Sequence, residues 1–140
     1  MTEDPALLLQ ITELLRDRAV DKYRRDLAEE AGLRGERDEI DRLRAAARLS
    51  SGGVDARQLT GSDTLWQGWL LQRRGDLNTG MAMARAKQAH SIQRARDAFA
   101  KDAATRSLQD RAQAKRRAER LAREERMLED LARLASQREP

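Results

Sequence analysis

The side chains best suited to catalysis are nearly missing from this chain. There is one histidine, His90, and there is no cysteine, so neither a thiolate nor a second imidazole is present to complete a metal site or an activated nucleophile. The glycines of Ser50-Ser51-Gly52-Gly53 are not followed by the Gly-Lys-Ser/Thr that a phosphate-cradling loop requires. Carboxylates such as Glu119, Glu124, Glu125, Glu129 and Asp130 lie among arginines able to neutralise them, which is the pattern of a solvated helix face. These residues predict no enzyme and no cofactor, and they place function on surfaces.

Two surfaces stand out. Trp66 and Trp69, with Leu65, Leu70 and Leu71, concentrate two of the chain's four aromatics and three leucines within seven residues. On a helix, positions 66, 69 and 70 share a face while 65 and 71 point elsewhere, so one packing surface cannot bury them all. Either both tryptophans pack on a neighbouring helix, or at least one is a protein-binding anchor, the role in which tryptophan is most enriched. The second surface is the run from Arg111 to Arg126, where seven Lys/Arg face only Glu119, Glu124 and Glu125, a net +4 that equals the charge of the whole chain. It reads either as a solvated face or as a charged tip for an acidic or polar socket.

The elements that carry these surfaces are helices. Of 140 residues, 37% are charged and 3% aromatic, and the mean hydropathy is -0.85, too little apolar material for a thick globular core. The charge resides in Arg and Glu beside many alanines, all good helix formers, and there are two prolines. Asp4-Pro5 supplies a cap and a first-turn proline, and Leu8, Ile11, Leu15 and Ala19 begin a stripe at spacings of three and four that continues through Tyr23, Leu27, Leu33, Ile40, Leu43 and Ala47. The pairs Asp21/Arg25 and Asp38/Arg42 support its outer face. The first helix is predicted over about 5–49, a loop over about 50–62 and a second helix over about 63–137, capped by Ser62 or Asp63.

Trp66, Leu70, Leu77, Met81, Ala84, Ile92, Ala95, Phe99 and Leu108 trace the seam of the second helix. Toward its end Leu121, Leu128 and Ala135 recur every seven residues with Leu131 between them, as in a coiled coil. Gly75, Asn78 and Gly80 mark a weak stretch where a bend is expected.

The fold expected is all-α, a single domain of two long helices in an antiparallel coiled-coil hairpin. At 1.5 Å per residue the arms measure roughly 65–70 Å and roughly 110 Å, so the second helix should lose its partner at about residue 110 and project beyond it. Residues 1–50 carry 10 basic and 12 acidic side chains, a net -2, and residues 51–140 carry 18 and 12, a net +6; helices of opposite sign attract modestly. No apolar run approaches a membrane span, and Met1-Thr2-Glu3-Asp4-Pro5 lacks the basic region of a secretory signal, which predicts a soluble, cytoplasmic protein.

In layout and in two motifs the chain resembles the FliJ family, the soluble stalk protein of the flagellar type III export apparatus. The resemblance rests on the amphipathic opening Leu7-Leu8-Leu9-Gln10-Ile11, the Gly/Ser-bearing loop, Trp66-Gln67-Gly68-Trp69-Leu70 in place of an aromatic-x-x-aromatic-Leu pattern, and the ending Arg123-Glu124-Glu125-Arg126-Met127-Leu128-Glu129-Asp130-Leu131-Ala132. Arg73, Gly75 and Gly80 depart from the family's pattern. The resemblance implies a two-helix coiled coil similar to a rotary shaft, inserted into the ring of the export ATPase. It also implies contact with the cytosolic domain of the export gate membrane protein, and the cycling of export chaperones. It assigns Trp66, Trp69, Leu70 and Leu77 to the gate or chaperones and Arg116, Arg117, Arg120 and Arg123 to the ATPase, with membrane association only through partners.

Three other readings of the residues remain open. One is the equivalent stalk of a virulence injectisome, and another is a generic coiled-coil adaptor that self-associates through its seam. The third is a basic helical nucleic-acid binder, against which stand the small net charge, the interspersed acids and the lack of aromatics within the basic run; no nucleic acid is expected.

Overall fold

A computed structural model describes residues 4–49 and 61–138. The protein is all-α. Helix α1 spans Pro5–Leu49, 45 residues, and helix α2 spans Ser62–Ser136, 75 residues; among the described residues there is no strand. The Gly/Ser break and most of the predicted loop, residues 50–60, lie outside the described residues. As expected, Asp4 caps α1: its Oδ1 accepts the Ala6 N–H at 3.0 Å, satisfying a donor that the first turn leaves orphaned. Gly61 precedes α2 at φ 71°, a left-handed conformation that side chains disfavour, and its carbonyl accepts the Leu65 N–H at 3.3 Å.

Helix α2 runs as unbroken α-helix through Gly75, Asn78 and Gly80. Gly80 faces the partner helix, where an added Cβ would lie 3.4 Å from Cδ1 of Leu33, an ordinary van der Waals contact. Exposed ion pairs differ from the simple i,i+4 expectation. Arg42 pairs with Glu39 rather than Asp38, and Arg24 rather than Arg25 approaches Asp21.

The chain falls into two compact units, one comprising residues 17–97 and the other residues 1–16 with 98–140. In the first, the buried and half-buried positions of α1 include 19, 23, 26, 30, 33, 37, 40, 44 and 47, and those of α2 include 63, 67, 70, 74, 77, 81, 84, 88, 91 and 95. Steps alternate between three and four on both helices, the 3.5-residue period of a coiled-coil seam. Ile40, Leu70 and Leu77 form its core with Leu33 packed against them, and Met81, Ala84 and Ala95 are also buried.

Polar groups complete this seam. Arg73 meets Glu36 at 2.9 Å, Arg74 meets Asp41 at 2.8 Å, Lys87 meets Glu29 at 3.2 Å, and Arg85 lies 3.4 Å from Glu30. Residues 73 and 74 of α2 meet 36 and 41 of α1, whereas residues 85 and 87 meet 30 and 29, so the helices are antiparallel. In each of these pairs α1 provides the acid and α2 the base, as the charge of the two halves anticipates. The second unit repeats the spacing with positions 5, 9, 12 and 16 of α1 and 98, 102, 105, 109 and 112 of α2.

Several residues read as seam from the sequence stand outside it. Leu8, Ile11, Leu15, Leu27 and Leu43 on α1, and Trp66, Phe99 and Leu108 on α2, are exposed, because the seam holds strict alternation of three and four while the apolar residues drift away from it. Leu70 is fully buried and its neighbour Leu71 is 51% exposed. Leu70→Ala should therefore cost about 2–5 kcal/mol, and Leu71→Ala within about 0.5 kcal/mol of nothing. Urea unfolding followed by circular dichroism checks this, and equal losses for the two would contradict the seam.

Candidate docking surfaces

The structure divides the four residues assigned to a gate or chaperone contact. Leu70 and Leu77 are 0% and 2% exposed and belong to the core. With the helices paired they have no surface to offer, which corrects their assignment as contact residues: their positions in the three-four alternation turn them onto α1. Trp69 is 60% exposed and Trp66 39%. Gln67 and Leu70, not the tryptophans, face the seam, so α2 presents Trp69 outward. There it lines a shallow depression of ≈ 470 Å³ with Gln72, Arg73 and Asp76. Leu65 and Leu71 are exposed on other faces of the same turns, as the spacing requires.

All four residues assigned to an ATPase contact are exposed. From residue 113 to 138 no side chain is buried and only Ala122 is half-buried, so α2 continues beyond Ala112 without cover from α1. This agrees with the expected loss of partner near residue 110. Within the stretch, Lys115–Glu119 and Arg120–Glu124 are loose i,i+4 pairs at 4.0 and 3.8 Å, and Arg133 approaches Glu129 and Asp130 at 4.0 Å. Arg123 donates from Nε to the Glu119 carbonyl at 3.3 Å. Arg116 and Arg117 form no ion pair among the described residues. His90 is exposed as well. No group of three or more His, Cys, Asp or Glu able to hold a metal occurs among the described residues, nor does any helix long and apolar enough to cross a membrane.

The uncovered stretch leaves the seam at a polar anchor that hydrophobic periodicity does not reveal. Asp102, 3% exposed, accepts from Nη1 of Arg16 at 2.9 Å and Nε of Arg106 at 3.1 Å, and its Oδ1 lies 3.1 Å from the Thr12 hydroxyl. Arg106 also reaches Glu13 at 2.7 Å, and the Arg16 guanidinium sits 5.7 Å from the centre of the Phe99 ring. Burial alone would push the Asp102 carboxyl up. The hydrogen bonds from Arg106 and Thr12 and the charges of Arg106 and Arg16 outweigh it and hold the group below the usual aspartate range. Asp26 and Glu30 in the other unit are likewise buried and held low, Asp26 first by its Lys22 hydrogen bond and Glu30 first by Arg34. The only signal for these residues in the sequence is their place in the three-four alternation.

No family model matches the chain, and no curated protein or solved structure matches it.

The carboxylates make stability pH-dependent with a definite sign. Their folded pKa values lie below the unfolded ones, so the folded state binds fewer protons than the unfolded state. Their contribution is then complete above the ordinary carboxylate range and lost as pH falls through the folded values. Thermal midpoints should vary little from these groups between about pH 6 and 8 and drop below about pH 4. Asp102→Asn should lower the midpoint at neutral pH and flatten the acid drop; an undiminished acid drop would contradict the assignment.

Proposed function

We propose that this chain is a stalk of a flagellar type III protein export apparatus, acting in the cytoplasm and associating with the membrane only through its partners. One observation supports this reading most: α2 extends beyond Ala112 with no cover from α1 and carries most of the basic run from Arg111 to Arg126, a form suited to insertion in a ring of complementary charge. Arg116, Arg117, Arg120 and Arg123 are the residues proposed to enter the central opening of the export ATPase and raise its turnover. Charge would act there mainly on association rate and salt sensitivity.

Trp66 and Trp69 are proposed to meet the cytosolic domain of the export gate or the export chaperones. Leu70 and Leu77 serve that contact indirectly, because their burial holds α2 in the rotation that turns Trp69 outward. The motif resemblance is what favours a flagellar system over an injectisome.

The test uses the whole chain and the export ATPase of the same organism. The parent should stimulate ATP hydrolysis, and the triple variant Arg116→Glu, Arg117→Glu, Arg120→Glu should not, with helicity unchanged. Trp69→Ala should retain stimulation but weaken gate or chaperone binding by about 2 kcal/mol, or roughly 30-fold. If the parent does not bind the ATPase, or the triple variant stimulates as well as the parent, the reading is wrong.

A further inference from the structure

Two apolar stripes in the unit formed by residues 1–16 and 98–140 lie open. On α1, Leu7, Leu8, Ile11, Leu14 and Leu15 flank the seam, and each is between 38% and 56% exposed. On the uncovered end of α2, Met127, Leu128, Leu131 and Leu134 are between 56% and 66% exposed, and Ala135 is exposed beside them. The stripes have the same internal spacing: residue n of the first corresponds to n + 120 of the second at every position. Each presents a ridge wide enough to pack against the other.

They cannot meet within one chain. The contacts of Thr12 with Asp102 and Glu13 with Arg106 bring Pro5 level with roughly residues 110–114, so the α2 stripe lies about 20 Å farther along the same unbroken helix. We propose that a second copy of this chain covers both stripes. In a two-fold pair with antiparallel α2 helices, the end of each α2 lies parallel to the other copy's α1, with Met127 beside Leu7, Leu131 beside Ile11 and Leu134 beside Leu14. The contact is isologous and made twice.

Two observations favour this occupant. Flanking positions set Glu13 level with Arg133 and Gln10 with Asp130, and none from 9 to 16 opposes like charges. The nine large side chains, covered in both copies, amount to on the order of 1,500 Å², the size of a stable interface. Against association, the two basic runs approach each other across the axis near Ala118, so pairing tightens as salt rises.

The proposal stands independently of the ATPase reading, and sedimentation equilibrium of the full chain tests it. We expect a monomer–dimer equilibrium that tightens with salt. Leu131→Asp with Leu134→Asp should weaken it at least tenfold while circular dichroism stays unchanged, and Leu108→Asp, outside both stripes, should leave it intact. The chain has no cysteine of its own, so a mixture of Ile11→Cys and Leu131→Cys proteins should cross-link as mixed dimers under mild oxidation. A mass that stays at one chain at all concentrations overturns the proposal. So do cross-links predominantly between identical variants, or a Leu108→Asp effect equal to that of the stripe variant.

Discussion

A helix of this composition has no reason to hold its shape alone. Its charged faces contribute only a few tenths of a kcal/mol per i,i+4 pair, and what stabilises it is one narrow seam against another helix. The seam constrains the rest of the structure because it admits only residues at alternating steps of three and four. Among the described residues no side chain outside those positions is fully buried, whatever its polarity. Trp69, Leu108 and the leucines at the start of α1 are exposed for that reason, and Leu70 and Leu77 are buried for the same one.

The seam is also not uniformly apolar. Thr12, Asp26, Glu30, Ser91, Asp102 and Thr105 occupy buried positions in it. A buried carboxylate costs desolvation that its partners only offset, so such groups are weak evidence for stability. Their better-attested use is to specify register. Asp102 is satisfied only where Thr12, Arg16 and Arg106 converge, and a slip of one turn would separate it from Thr12 and Arg16 together. In the other unit, acids on α1 meeting bases on α2 favour the observed rotation of the two helices in the same way.

Much of this was legible in the sequence. Asp4-Pro5 marked the start of α1 to the residue, and Ser62 was one of two caps named for α2. Leu70, Leu77, Met81, Ala84 and Ala95 lie in the seam as their spacing implied, and the loss of cover near residue 110 followed from helix lengths. Along α1, Ala19, Tyr23, Leu33, Ile40 and Ala47 also lie in the seam as read, but the rotation of its first turns was not legible. Counting apolar residues selects Leu8, Ile11 and Leu15, whereas the buried line passes through Leu9, Thr12 and Arg16, because the partners that make Thr12 and Arg16 acceptable there lie about 90 residues away at Asp102. The same blind spot placed Leu70 and Leu77 on a docking surface: a motif shows which residues recur together but not which of them face inward.

The end of α2 is where fold and function join. It carries an exposed apolar stripe and most of the basic run from Arg111 to Arg126, and α1 does not cover it. The proposed ring contact and a second copy would therefore draw on overlapping surfaces. The central claim is that pairing with α1, not intrinsic propensity, stabilises α2. Amide hydrogen exchange by mass spectrometry on dilute full-length protein tests this most directly, since it reads local opening segment by segment. Peptides covering residues 98–112 should be protected and those covering 115–136 should exchange orders of magnitude faster. Equal protection of the two stretches in the monomer would contradict the account.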